Sequence, residues 1–258
     1  MAATKIIFFD IDGTLLDPAT GCISPKTKEA LALLKEKGIL RCVATGRPKI
    51  SLPDFSDIGF DALLVFNGAY CYTGDKLIYE EPIDQADLMQ LMANAAKLGR
   101  PVSLALRDDL AANGWDPDLS EYYRSAGLVL EPAENFEQRL QEPVFKFMLS
   151  GQEKDYPAIM EGTKNVKLAI SWERAADVVS AKSGKGNAIG KVLAYFGIEP
   201  KDAMAFGDHF NDLEMMQAVG TGVAMGNATD ALKAVADDVC GPVSEDGIYH
   251  YCRKIGLI

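Results

Sequence analysis

Residues 5–17 read Lys-Ile-Ile-Phe-Phe-Asp-Ile-Asp-Gly-Thr-Leu-Leu-Asp, and this stretch decides the fold. Ile6, Ile7, Phe8 and Phe9 form a short unbroken apolar run, the pattern of a strand buried on both faces. The run ends in two carboxylates, Asp10 and Asp12, followed by Gly13. Glycine accepts positive φ, so the backbone can leave the strand abruptly there. In an open parallel sheet, ligands bind beyond the carboxyl ends of the strands. A buried strand that delivers two aspartates to that edge predicts a site. Taken alone, Asp-x-Asp-Gly also fits a turn that merely closes the sheet.

Working outward, the same strand-to-turn logic recurs. Ser24-Pro25 opens a helix whose apolar face is Ala30, Leu31, Leu33 and Leu34, with Gly38 placed to end it. Residues 39–44 then read as a second strand, and a strand-helix-strand unit implies a parallel pair. That strand ends in Thr45-Gly46-Arg47. A hydroxyl, a close-approaching backbone and a guanidinium there suit an anion. Residues 62–66 form a third strand ending in Asn67-Gly68. Residues 69–72 and 76–80 flank Thr73-Gly74-Asp75 as a hairpin, and Pro82 breaks the pattern.

From Ile83 to about Ala181 the character changes. A helix over 85–98 is followed by strands over 102–106, 144–149, 166–171 and 177–181, with helical stretches near 119–126 and 156–161. This predicts a compact α+β unit, an antiparallel sheet with helices on one face. The βα rhythm then returns, with helices over 186–196, 211–218 and 230–236, strands over 203–206 and 222–225, and a last helix opened by Ser244-Glu245-Asp246.

Two further stretches carry chemistry. Residues 203–212, Ala-Met-Ala-Phe-Gly-Asp-His-Phe-Asn-Asp, repeat the opening pattern, an apolar strand ending in Gly and acid. Asp208 and Asp212 can both face the sheet edge, where Mg²⁺ wants carboxylate oxygens. In Lys182-Ser183-Gly184-Lys185-Gly186-Asn187 the spacing fails that of a P-loop. A lysine on a glycine-rich turn at a helix start can still reach an anion, and both Lys185 and Lys182 fit that role.

The chain has 258 residues and a net charge of −11, which disfavours nucleic acid and anionic membranes as partners. Its five cysteines are scattered and odd in number, so neither a disulfide framework nor a zinc site is expected. No basic segment followed by an apolar leader is visible at the start, and no apolar run is long enough for a bilayer. A cytoplasmic protein is the expectation, and its oligomeric state is not legible.

In order, Asp-x-Asp-Gly-Thr, Thr-Gly-Arg, Lys-Gly and Gly-Asp-x-x-Asn-Asp resemble the motifs of the haloacid dehalogenase-like (HAD) phosphatases, in particular the Cof-like subfamily IIB. The motifs lie in residues 5–82 and 183–258, and the middle matches by position and size. The resemblance implies an α/β fold: a Rossmann-like core with a parallel sheet, residues 1–82 and 183–258, and an inserted α/β (type C2B) cap, residues 83–182, that sets specificity. It implies Asp10 as nucleophile and Asp12 as general acid and base. Thr45, Gly46 and Lys185 would bind phosphate. Arg47, Asn67, Gly68 and Asn211 would lie near substrate. Mg²⁺ would be held by Asp10, the Asp12 backbone carbonyl and Asp208, with Asp212 or Asn211 assisting. The substrate implied is a small phosphorylated metabolite, a sugar phosphate or a phosphorylated cofactor. Arg107, Asp109 and Asn113 are polar candidates in the insert for recognising it. Rival readings are a phosphomutase or phosphotransferase on the same scaffold and a receiver-like phospho-acceptor. The latter lacks the two aspartate motifs and a cap-sized insertion.

Overall fold

A computed structural model describes residues 4–125, 128–129, 131–169 and 172–258. Strand β1 (Ile6–Phe9) is buried throughout. Helix α1 (Pro25–Glu36) starts at Ser24, whose hydroxyl accepts the Thr27 N–H at 3.0 Å. Strands β2 (Leu40–Ala44) and β3 (Ala62–Val65) continue the sheet, and β4 (Tyr70–Thr73) and β5 (Lys76–Glu80) form the hairpin. The middle of the chain holds α2 (Gln85–Lys97), β6 (Val102–Ala105), β7 (Leu110–Ala112), α3 (Pro117–Ser125), α4 (Phe136–Arg139), β8 (Lys146–Ser150), α5 (Tyr156–Ile159), β9 (Val166–Leu168) and β10 (Ala175–Ser180). It is followed by α6 (Lys185–Phe196), β11 (Ala203–Gly207), α7 (Leu213–Ala218), β12 (Thr221–Ala224), α8 (Asp230–Lys233), β13 (Asp238–Val239) and α9 (Gly247–Lys254).

The first sheet has the order β13-β12-β11-β1-β2-β3-β4-β5. It is parallel from β13 to β3, and the β4–β5 hairpin adds antiparallel strands at one edge. Strand β1 lies between β11 and β2, which is why it is apolar on both faces. Phe9 and Phe206 are register partners, and their rings stack at 5.5 Å. That register sets the residues after β1 beside those after β11. Asp10 N–H donates to the Phe206 carbonyl at 3.0 Å.

By compactness the chain divides into Met1–Arg47 with Pro53–Glu80 and Gly184–Ile258, and Pro48–Leu52 with Glu81–Ser183. The short run Pro48–Leu52 therefore groups with the insert, where Lys49 pairs with Asp108. A periodic pattern could not reveal that, because the segment is a single 3₁₀ turn, Lys49–Ser51. Among the described residues no helix is long and apolar enough to cross a membrane.

The second sheet, β7-β6-β8-β10-β9, is antiparallel. Leu88, Leu91, Leu104, Phe147, Leu149 and Val178 belong to the apolar core on one of its faces. The expectation of helices on one face only is corrected here. Alternation puts Ser103, Lys146 and Asp177 on the opposite face, and α3 covers them. Tyr123 Oη lies 2.7 Å from Ser103 Oγ, and Tyr122 Oη donates to Asp177 Oδ2 at 3.2 Å. The tyrosine hydroxyls meet polar groups of this face, which lets a helix cover it.

Lys146 Nζ sits 3.0 Å from Asp177 Oδ2, with side-chain exposures of 6% and 0%. Burial disfavours the ammonium, but Asp177 and Tyr122 outweigh it and hold its pKa above the ordinary 10.5. A lysine bound more tightly to its proton in the folded state stabilises the fold fully below its unfolded pKa. That contribution is lost as pH rises through the folded value. Lys146→Met is expected to lower stability by ~3–5 kcal/mol at neutral pH by removing the ammonium from the buried Asp177 carboxylate, whereas Lys146→Met/Asp177→Leu recovers most of the loss. Denaturant titration checks this. The gap between parent and single variant should narrow as pH rises above 10.5, because the unfolded lysine gives up its proton before the folded one does.

Other differences concern element ends. The third strand stops at Val65, since Phe66 and Asn67 turn to φ 53° and 54°. The helix read over 211–218 begins as a 3₁₀ turn, Phe210–Asp212, and the helix read over 230–236 ends at Lys233. Strands β7 and β13 and helix α4 went unread, being too short to show a period. The expected ends at Ala126 and at Ile170–Ser171 lie outside the described residues.

Candidate active site

Four chain segments meet at the carboxyl edge of the first sheet: the ends of β1, β2 and β11 and the start of α6. Lys185, at the first position of α6, is fully buried. Its Nζ lies 2.6 Å from Asp10 Oδ1 and 2.6 Å from Asp212 Oδ1. The other Asp212 oxygen accepts the N–H groups of Asp208 (2.9 Å) and His209 (3.1 Å), closing the turn after β11. Asp208 Oδ1 accepts from Thr14 Oγ1 at 3.1 Å. Carboxylate oxygens of Asp10, Asp208 and Asp212 all lie within 4.8 Å of one another.

Gly13 makes this convergence possible. Its φ is +81°, and a Cβ there would stand 2.3 Å from Asp208 Oδ2. Only glycine lets the loop after β1 pass this close to the second aspartate pair. Asn227 Nδ2 donates to the Gly13 carbonyl at 2.8 Å and fixes that loop from the end of β12.

Electrostatics follow from this crowding. Burial pushes the Asp10 carboxyl up to about 8; Lys185 opposes that shift and Asp212 adds to it. Burial, with Asp212, raises Asp208 to about 6. For Lys185 burial works against the charge, and the two carboxylates more than compensate, so it stays an ammonium. Burial is the leading cause of both upward shifts, so a cation held beside Asp10 and Asp208 would favour their charged carboxylate forms. The donor set is wholly hard oxygen. It fits a divalent cation of the Mg²⁺ type.

Asp12 is not among the three carboxylates of this cluster. Its half-exposed carboxylate is held by Arg47, with Nε to Oδ2 at 2.8 Å and Nη2 to Oδ1 at 2.6 Å. Arg47, expected near substrate, is thus placed first on Asp12, and this hydrogen bond raises its already high pKa. Thr45 is buried; its hydroxyl accepts the Arg47 N–H at 3.1 Å and remains a donor in its own right. Gly46 lies against Asn67 Oδ1. The left-handed turn after β3 sends Phe66 N–H to the Arg47 carbonyl (3.0 Å) and Asn67 N–H to the Thr45 carbonyl (2.9 Å). Positive φ at two non-glycine residues is strain of the kind that sites retain.

Asn211 Nδ2 bonds Asn67 Oδ1 at 3.1 Å, so these two residues form one exposed amide pair. Gly68 is buried, and a Cβ there would meet Ala188 Cβ at 2.4 Å, so it supports α6 rather than facing the edge. Lys182 is 68% exposed and lies 3.7 Å from Glu81, whereas the Lys185 side chain is fully buried beside Asp10. In the insert, Asn113 Oδ1 accepts Val102 N–H at 2.8 Å and Asp109 pairs with Arg139 at 2.7 Å. Thr14 and Asn227 were missed. Thr14 stood inside the first motif, but nothing in the sequence announces Asn227 beyond its place after a strand.

A sequence profile described as haloacid dehalogenase-like hydrolase matches residues 7–252. YkrA of Bacillus subtilis 168 is 33% identical over 266 residues, covering 99% of both chains. The pyridoxal phosphate phosphatase YbhA of Escherichia coli K12 is 28% identical over 272 residues, covering 96% of this chain and 97% of its own. A solved HAD subclass IIB sugar phosphatase superposes with a TM-score of 0.87 at 30% identity, covering 99% of this chain and 100% of its own. The chain belongs to the haloacid dehalogenase-like hydrolases and is an enzyme of that superfamily, a phosphatase.

Proposed function

We propose that this phosphatase hydrolyses small phosphomonoesters through a phosphorylated Asp10. The observation that carries the reading is the buried Lys185 ammonium, 2.6 Å from Asp10 and braced by Asp212. An Asp10 carboxylate oxygen attacks phosphorus, and the bond to the leaving oxygen breaks. Asp12 gives its proton to that oxygen. Water then attacks the aspartyl-phosphate, Asp12 takes the proton back, and phosphate and the Asp10 carboxylate are released. Lys185, the Thr45 hydroxyl and the Gly46 backbone hold phosphoryl oxygens where charge builds up, which is where catalysis of this chemistry resides. Asp10, Asp208 and the Asp12 carbonyl would ligate Mg²⁺, with Asp212 alongside. The ion would supply the positive charge that lets a carboxylate and a phosphate approach.

The inserted unit, 83–182, is assigned the choice of leaving group. Two of the named relatives are a pyridoxal phosphate phosphatase and a sugar phosphatase, and those compounds lead the substrate panel. Phosphate release is measured across the panel with Mg²⁺ and with a chelator. Chelation is expected to lower release by at least ~10²-fold, the scale of one lost electrostatic stabiliser. Equal rates in both conditions would remove the metal assignment. An isomerised product without free phosphate would instead indicate a mutase.

A further inference from the structure

We propose that Arg47 is a positioning residue for Asp12 rather than a ligand of the substrate. This rests on reading Asp12 as the group that transfers the proton. The guanidinium meets the carboxylate as a fork, 2.8 Å from one oxygen and 2.6 Å from the other. Two parallel contacts fix both the place and the plane of a carboxylate, which a single point charge does not do. Asp12 needs such help. It is half-exposed, whereas Asp10 and Asp212 are buried and share the Lys185 ammonium.

Arg47 is itself held in place. Its N–H is taken by Thr45, and its carbonyl by the N–H of Phe66. The second contact is made where Phe66 leaves β3 at a positive φ of 53°. A strained turn thus helps to seat the backbone of the residue that holds the proton-transfer group. Proton transfer falls off steeply when donor and acceptor are misplaced by a fraction of an ångström, so orientation alone can govern the rate. The guanidinium keeps its protons throughout, and the proton that moves belongs to Asp12 and the reacting oxygen.

The test compares Arg47→Ala, Arg47→Lys and Asp12→Asn on two Mg²⁺-supported substrates, an alkyl phosphate and p-nitrophenyl phosphate. The nitrophenolate leaves without a proton, whereas the alkoxide needs one. For Arg47→Ala, kcat/KM on the alkyl phosphate is expected to fall ~10–100-fold, and at least ~tenfold more than on the aryl ester. Competitive inhibition by inorganic phosphate should stay within ~threefold of the parent. Added guanidinium should restore part of the alkyl activity, and Arg47→Lys should remain impaired because it offers no fork.

Equal losses on both esters, with weaker phosphate inhibition, would make Arg47 a substrate ligand and overturn the proposal. Asp12→Asn separates the two levels. If it shows the leaving-group signature and Arg47→Ala does not, only the positioning role fails. If Asp12→Asn lacks the signature, the acid–base reading fails and takes this inference with it. Rescue by guanidinium keeps the result readable even if Arg47→Ala is less stable than the parent.

Discussion

Asp10→Asn is expected to fold as the parent does and to lose at least ~10³-fold in turnover, the scale for removing a covalent nucleophile. Asparagine fills the same space at the end of β1. Its carbonyl oxygen can accept from Lys185, and Lys185 keeps its second partner, Asp212, at 2.6 Å. The backbone bond from residue 10 to the Phe206 carbonyl is untouched. Only the anionic oxygen is lost, and with it the capacity to form an acyl phosphate. Rapid quench with a radiolabelled substrate should trap phosphate on the parent chain and none on the variant. Near-parent phosphate release by Asp10→Asn would remove the nucleophile assignment.

Lys185→Ala should be impaired in two separable ways. Deleting the ammonium leaves Asp10 and Asp212 buried against each other without compensation, which costs about 3–5 kcal/mol of stability. Activity per folded molecule should fall by a further ~10²–10³-fold, as a buried charge on the reacting phosphoryl group is removed. Denaturant titration reads the first effect and kcat at a temperature where the variant is folded reads the second. Lys182→Ala, at an exposed position 3.7 Å from Glu81, should change stability by no more than ~0.5 kcal/mol and leave turnover near the parent value. The reverse ranking would overturn the assignment of Lys185.

The contrast between the two lysines appears only in three dimensions, because one lies in a turn and the other opens a helix. Lys182 and Lys185 share one glycine-rich stretch, and both satisfy the sequence argument for an anion-binding lysine. Helix α6 starts at Lys185 itself, and that sets its side chain inward beneath the sheet edge. Lys182 lies in the turn before that helix and belongs with the insert. Similarly, Arg47 and Asp12 lie 35 positions apart, and no local pattern links them.

The elements legible from sequence were those with a long enough signal. β1 was readable because a central parallel strand must be apolar on both faces. α1 was readable because Ser24 and Pro25 mark its start chemically. β7, β13 and α4 were not, since two to four residues carry no period. Asn227 was invisible because a capping amide on a distant loop has no sequence signature.

By itself the sequence determined which chemistry is available. It placed carboxylates after apolar strands, a hydroxyl after another and a lysine at a helix start, all of which a parallel sheet must deliver to one edge. Tertiary structure alone decided how those groups are shared. Lys185 bridges Asp10 and Asp212, Thr14 holds Asp208, and Arg47 holds Asp12. The reason is physical. Strand direction and burial follow from local patterns of apolar residues, whereas the partner of a buried charge depends on ångström distances between segments far apart in the chain.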